Sequence, residues 1–416
     1  MQEIGESSSI GPMGQFQIRF FYKPTKMYIT LDADRGVFTL DMEDEAKNWN
    51  TLYRIEKFDN DMTEECLEII SYTKSEMKSK NNFLVTGKDG IFMCTCITYE
   101  NGDFYFGRTL DLEYNFGEQV VITPRNYPFS FRKLPELTHH YAMIGMAATA
   151  AEYPLYAEAV NEKGLGIAGL NFPGNACYKE EQENKKNVTP FELIPWILGQ
   201  CKNVDEARIL LKEVNLLNVP FAEHMPLSPL HWMIADQTKC IVVEAVKEGV
   251  MIYDNLYGVM TNNPTFPFYQ MYMNHYMNLT SQSPRCNFAD GLELSVYGQG
   301  MGAMGLPGDY SPASRFVKAA FLKWNSHAAQ DESSNVSQFF HIMDGVSMVR
   351  GSVITPEGRD DITTYTCCIN TNKGIFYYKT YDNSQIQAVD LWKEDMEAKD
   401  LIKYDLCKEQ QIRWHN

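Results

Sequence analysis

The sequence predicts a layered α+β fold, with β-sheets packed on each other and helices on the outside. Three observations carry this. Strand-like segments gather near both ends of residues 93–416, helical blocks lie between them, and a chain of 416 residues with 44% hydrophobic and 13% aromatic content can bury a large core.

Residues 1–92 have a texture of their own. Polar MQEIGESSSIGPMG leads into the strand-like runs QFQIRFFY and KMYITLD; a turn signal at Asp34-Arg35-Gly36 precedes VFTLDM. A helix is predicted over MTEECLEIISYTKSEMKS, with a break at Lys80-Asn81-Asn82. No catalytic pattern is legible there.

From Met93 the chain turns to short apolar strands. MCTCITYE and DFYFGRTL flank Asn101-Gly102, the strongest short hairpin signal, because a tight hairpin turn needs positive φ and glycine supplies it. VVITPR continues the β character. Helices are predicted at VTPFELIPWILGQC, at NVDEARILLKEV with Asn203 as N-cap, at SPASRFVKAAFLKW and at NVSQFFHIMDGVSM. Strands return in KCIVVEAV, GVMIYDN and TYTCCINTNKGIFYYKTYDN. There is no internal repeat and no low-complexity tract.

Composition excludes several function classes. A net charge of −17 argues against nucleic acid, whose binding needs clustered cations, and against an anionic membrane surface. No apolar run approaches the ~18 residues of a membrane span, and Met1–Gly14 lacks the apolar centre of a secretory signal. The ten cysteines are scattered without paired CxxC elements, and the eight histidines lack HExxH spacing. A cytoplasmic protein needing no metal or cofactor is the simplest expectation.

Three features carry candidate chemistry. GQGMGAMGLPGD contains a formal GxGxxG at Gly300, Gly302 and Gly305, but Leu306-Pro307-Gly308 blocks the helix a dinucleotide loop requires, so a flexible or substrate-facing loop is expected. His231, in SPLHWMIAD, lies in no cysteine-protease signature and is expected to be structural. Cys94 differs. Were its nitrogen a free α-amine, with an ordinary pKa of about 7.7–8.0, one residue would supply both nucleophile and base. Arg108 and Asp111 lie on the returning strand of the predicted hairpin, close enough to serve it. A buried cysteine beside a structural ion pair fits the same spacing, and from spacing alone is the more ordinary arrangement.

Several blocks taken together resemble the choloylglycine hydrolase family, which includes bile salt hydrolases and penicillin V acylases. They are MCTCITYENGDFYFGRTLDLEYNFGEQVVITPRNYPF, NEKGLGIAGLNFPG, YGVMTNNPTF, GLPGDYSPASRF, MVRGSV, TYTCCIN and GIFYYKTYDNSQI, in order along residues 93–416 and absent from 1–92. The resemblance implies an N-terminal nucleophile hydrolase with a four-layer αββα sandwich, preceded by an extension of unknown fold. It makes Cys94 the nucleophile, Arg108 the arginine beside it and Asp111 the holder of the α-amine. Asn171 and Asn262 become the oxyanion hole, and Arg315 a second active-site arginine. Leu110, Phe221 and Met225 match pocket-lining positions, while Ala151 stands where some relatives carry a pocket aromatic. The implied substrate is a glycine- or taurine-conjugated bile salt, cleaved through a cysteine thioester, with penicillin V or another N-acyl amide as the alternative. NACYKEEQENKKNVTPFELI resembles the family's assembly loop and implies a homotetramer.

Residues 1–92 conflict with that chemistry, since an internal Cys94 carries an amide nitrogen. Three readings follow: Met93 is the working start, the extension is removed by autoproteolysis, or it stays and the protein binds bile acids without cleaving them. The Met-Cys-Thr sequence favours the first, because ordinary methionine removal would then suffice.

Overall fold

Two β-sheets packed face to face position everything that follows. The computed structural model describes residues 93–222 and 225–416, and the backbone of five strands ahead of them. The chain divides into two units, Met1–Thr86 and Gly87–Asn416.

In the first unit β1 (Ser7–Ile10), β2 (Gln15–Tyr22), β3 (Thr25–Asp32), β4 (Val37–Glu43) and β5 (Trp49–Glu56) form an antiparallel sheet in sequential order. The strands expected at QFQIRFFY, KMYITLD and VFTLDM are β2, β3 and β4. The turn expected at Asp34-Arg35-Gly36 and the helix expected over MTEECLEIISYTKSEMKS lie outside the described residues.

The second unit opens with the hairpin β6 (Met93–Asn101) and β7 (Asp103–Leu112), turning at Gly102 with φ +78°. The strands that follow are β8 (Gln119–Thr123), β9 (Met143–Ala150), β10 (Tyr153–Asn161), β11 (Gly166–Asn171), β12 (Lys186–Val188), β13 (Val214–Leu216), β14 (Leu230–Ala235), β15 (Cys240–Val246), β16 (Gly249–Asp254), β17 (Val259–Met260), β18 (Ile362–Asn370), β19 (Ile375–Thr380), β20 (Gln387–Asp390) and β21 (Ile402–Asp405). One sheet runs β16-β15-β14-β11-β10-β9-β8-β21 and the other β17-β6-β7-β18-β19-β20.

Strict alternation along the first sheet creates two cores. Val120, Ile122, Ile144, Met146, Ala168, Leu170, Met233 and Val242 face the second sheet, whereas Val121, Met143, Ile167, Trp232, Ile234 and Val243 face outward. Both faces are buried, so these strands read as continuous apolar runs. The outward face is covered by α1 (Leu193–Leu198) and α2 (Val204–Leu211). Asn203 caps α2, accepting from Glu206 N at 3.0 Å. Beyond the second sheet lie α3 (Phe266–Tyr272), α4 (Pro312–Asn325) and α5 (Glu332–Asp344), which bury Phe266, Phe316, Ala319, Phe339 and Phe340 in the same core as the β6–β7 hairpin. The layers run helix, sheet, sheet, helix: an αββα sandwich.

Candidate active site

Cys94 sits second in β6, buried, with Leu110 of β7 opposite it in register and Arg108 opposite Cys96. Because strand side chains alternate, Cys94, Arg108 and Leu110 share the face toward the other sheet, while Thr95, Thr109 and Asp111 share the face toward α4. The sheet therefore divides the site into a sulfur side and a carboxylate side.

On the sulfur side, Arg108 Nη2 donates to Cys94 Sγ at 2.5 Å. The same guanidinium crosses between the sheets, donating from Nη1 to Gly169 O at 2.5 Å and to Ala157 O at 3.4 Å, and from Nε to Thr109 O at 3.2 Å. Burial pushes the Cys94 thiol above its usual pKa; Arg108 opposes this, helped by the backbone N–H groups of Asp111 and Asn171. Burial works against the charge on Arg108, but Cys94, Tyr365 and Glu158 outweigh it and keep the guanidinium protonated.

On the opposite face, Asp111 accepts from Thr363 Oγ1 at 2.6 Å and from Thr109 Oγ1 at 3.2 Å. Burial raises its carboxyl to about 6, against the pull of Arg315 and Thr363. Arg315 lies in the first turn of α4. Ser311 caps that turn by accepting from Ser314 N at 3.4 Å, with Pro312 at its start. Fixed there, Arg315 donates from Nη1 to Cys94 O at 2.5 Å and to Thr95 Oγ1 at 2.7 Å, and from Nη2 to Asn262 Oδ1 at 2.7 Å. Burial lowers its pKa, and Asp111 is the first neighbour to resist.

Asn262 follows β17 and Asn171 ends β11. Asn262 Oδ1 accepts from Cys94 N at 2.9 Å, and its Nδ2 donates to Asn171 O at 2.8 Å. An amide nitrogen has two protons, so one remains for a further acceptor.

The structure thus gathers Cys94, Arg108, Leu110, Asp111, Asn171, Asn262 and Arg315 around one strand end. One detail departs from expectation. The Cys94 nitrogen bonds to Asn262, with Asp111 bonded to threonines, because the nitrogen is here a peptide amide with a single proton and Met93 still pairs with Asp111 across the hairpin.

Phe221 and Met225 lie on a separate loop closed by an Ala222–Met225 bridge. The Phe221 ring packs against Phe191 at 5.2 Å and Tyr153 at 5.9 Å, with the Arg132 guanidinium 5.8 Å from its centre. Ala151 takes a left-handed conformation at φ +47° in the turn before β10. His231 stacks on Phe172 at 4.2 Å and bonds Thr261 O and Glu244, a structural role as expected. GQGMGAMGLPGD forms a loop with a short 3₁₀ turn at Met301–Ala303. A cleft of about 960 Å³ opens at the far end of β6, lined by Thr98, Tyr99, Asp236, Lys239 and Lys323, and includes none of the residues predicted for chemistry.

Sequence reasoning missed Glu158 and Asp361. Both are buried carboxyls that burial raises to about 7; Arg108 opposes the rise at Glu158, while Asp111 and Glu113 add to it at Asp361. A carboxylate inside the apolar strand YPLYAEAV was the only signal for Glu158.

Residues 94–404 match the description of linear amide C–N hydrolases, choloylglycine hydrolase family. The chain belongs to that family. It is 50% identical over 319 residues to a bile salt hydrolase/transferase of Lactiplantibacillus plantarum, covering 77% of this chain and 98% of the relative. To the bile salt hydrolase/transferase of Clostridium perfringens it is 42% identical over 322 residues, covering 76% and 98%. A crystal structure of a variant of the conjugated bile acid hydrolase from Clostridium perfringens superposes with TM-score 0.72 at 40% identity, over 78% of this chain and all of that one. A penicillin V acylase from Agrobacterium tumefaciens shares the fold, with TM-score 0.60 at 18% identity over 76% and 92%. Choloylglycine hydrolase membership thus rests on residues 94–404, and the family match begins at Cys94 itself. Among the described residues no helix is long and apolar enough to cross a membrane, and no cluster of His, Cys, Asp or Glu could hold a metal.

Proposed function

We propose that residues 93–416 form the catalytic domain of a bile salt hydrolase, which cleaves the amide bond of glycine- or taurine-conjugated bile acids once Cys94 has become the first residue. The observation that carries this is the Cys94 sulfur held by Arg108 beside Asn171 and Asn262, in a chain 50% identical over 319 residues to a bile salt hydrolase/transferase.

In this reading the sulfur attacks the substrate carbonyl as a thiolate favoured by Arg108. The second Nδ2 proton of Asn262 and the Asn171 backbone N–H receive the developing oxyanion; one such donor contributes about 2.7–4 kcal/mol. The α-amine carries the thiol proton to the departing glycine or taurine nitrogen, with Asp111 holding the ammonium. Water, deprotonated by the same amine, opens the thioester. Arg315 touches backbone and Asn262 and acts as a positioning residue. Leu110 beside the sulfur, with Phe221 and Met225, supplies apolar wall for a steroid. Bile salts rank above penicillin V because the relatives at 50% and 42% identity are named for bile salts, and the acylase supports the fold alone.

The homotetramer and the cytoplasmic location belong to this same reading. Exposed Phe288, Leu294 and Tyr297 support a surface covered in an assembly.

The test measures intact mass together with release of glycine and taurine from glycocholate and taurocholate, and hydrolysis of penicillin V. The expected result is a species beginning at Cys94 that cleaves conjugated bile salts, and Cys94→Ser nearly inactive. Tight glycocholate binding by the full chain without turnover would leave a bile-acid-binding protein. Preference for penicillin V would replace the substrate class.

A further inference from the structure

Beneath the Cys94–Arg108 contact lies a buried carboxylate that the proposed chemistry does not use. Glu158 Oε2 stands 3.7 Å from Arg108 Nε and accepts from Tyr365 Oη at 2.8 Å, and Oε1 accepts from Cys367 Sγ at 3.4 Å. Its place there is built by a break in strand phase. The register of β10 against β9 shifts between Tyr156 and Glu158. Tyr156 faces the outer core, and without the shift Glu158 would follow it; the bulge turns Glu158 to the inter-sheet face instead. Gly145 makes room, since a Cβ there would meet the Glu158 carbonyl oxygen at 2.1 Å.

Among the described residues, the groups that act on Glu158 are Arg108 from β7, Cys96 from β6, and Tyr365 and Cys367 from β18; across its own sheet it pairs with Met146 and Ala168. Arg108 is the one cation among them, and it points its other end at the Cys94 sulfur. We infer that Glu158 sets how much of the Arg108 charge reaches that sulfur: ionised, it neutralises the guanidinium from behind, and protonated, it leaves the full cation to the thiolate. Glu158 touches no reacting atom and acts through Arg108 as a positioning residue. A carboxyl raised to about 7 by burial is able to change state near neutral pH.

The inference deepens the hydrolase reading, and its test avoids turnover so that the two can fail separately. Cys94 is labelled with iodoacetamide across pH, the adduct located by mass spectrometry, in the wild type and in Glu158→Gln. The amide keeps the shape: its oxygen can accept from Tyr365, and its nitrogen can donate to Cys367. Loss of the negative charge moves the Cys94 labelling inflection down by about one pH unit. Tyr365→Phe removes a donor that favours the carboxylate. It moves the inflection the same way in the wild type and adds nothing in the Glu158→Gln background. An inflection unchanged or raised in Glu158→Gln overturns the inference. Should that variant fail to fold, an unmoved inflection in Tyr365→Phe does the same. Absence of bile salt cleavage leaves the labelling result intact.

Discussion

The backbone nitrogen of Cys94 donates to Asn262 Oδ1 at 2.9 Å. With Arg315 Nη2 on the same oxygen, the orientation of the Asn262 amide is fixed and Nδ2 is turned toward Asn171. A donor held this way needs no reorganisation when an oxyanion forms beside it. Asn262→Ala should therefore lower kcat by about 10²–10³ with KM little changed. Steady-state kinetics on glycocholate check it, and a raised KM at unchanged kcat would move Asn262 to the substrate pocket.

Arg315 holds three parts of the site with one fork: Cys94 O, Thr95 Oγ1 and Asn262 Oδ1. A lysine cannot span all three, but it keeps the charge that faces buried Asp111. Arg315→Lys is expected to lose most of kcat while folding well. Arg315→Met removes the cation that most opposes the rise of the buried Asp111 carboxyl, and should lower Tm. Equal melting temperatures for the two variants would show that the charge matters little.

Much of this site was legible because it is local. Asn101-Gly102 fixes the hairpin, and the hairpin register brings Arg108 and Asp111 to Cys94. The cap Asn203 was equally readable, and the helix expected at SPASRFVKAAFLKW places Arg315 one turn in; its Ser311 cap was not read. Asn171 and Asn262 came from likeness to a family, since 91 residues separate them and no local pattern announces their 2.8 Å contact. Glu158 was illegible for a different reason. Period-two reading of YPLYAEAV puts it on the same face as Tyr156, and a one-residue bulge reverses that. The five-stranded order of the first unit depends on pairing that strand patterns alone do not specify.

Three buried carboxyls make stability fall with rising pH. Burial raises Asp111 to about 6 and Glu158 and Asp361 to about 7. A raised folded-state pKa means the native protein holds protons that the unfolded chain, titrating near 4, has released. The contribution is complete below pH 4 and is lost as pH rises to about 7. Melting temperature should be higher at pH 5 than at pH 8, and Glu158→Gln should flatten the slope. An equal slope in that variant would remove Glu158 from the linkage.

In the proposed mechanism, release of the Cys94 nitrogen is the step on which activity turns. As a peptide amide it has one proton, already donated to Asn262, and no basic lone pair. As an ammonium it gains two further protons, and Asp111, across the hairpin from Met93, is the carboxylate placed to receive one. A version of the chain beginning at Met93, processed by ordinary methionine removal, should release glycine from glycocholate. A preparation shown by mass to retain residues 1–93 should have under about 1% of that rate, since the residue's own base is missing. Asp111→Asn should slow the processed form and leave glycocholate binding by the unprocessed form unchanged. Equal turnover by molecules that keep the upstream residues attached would refute the shared role of sulfur and amine at Cys94.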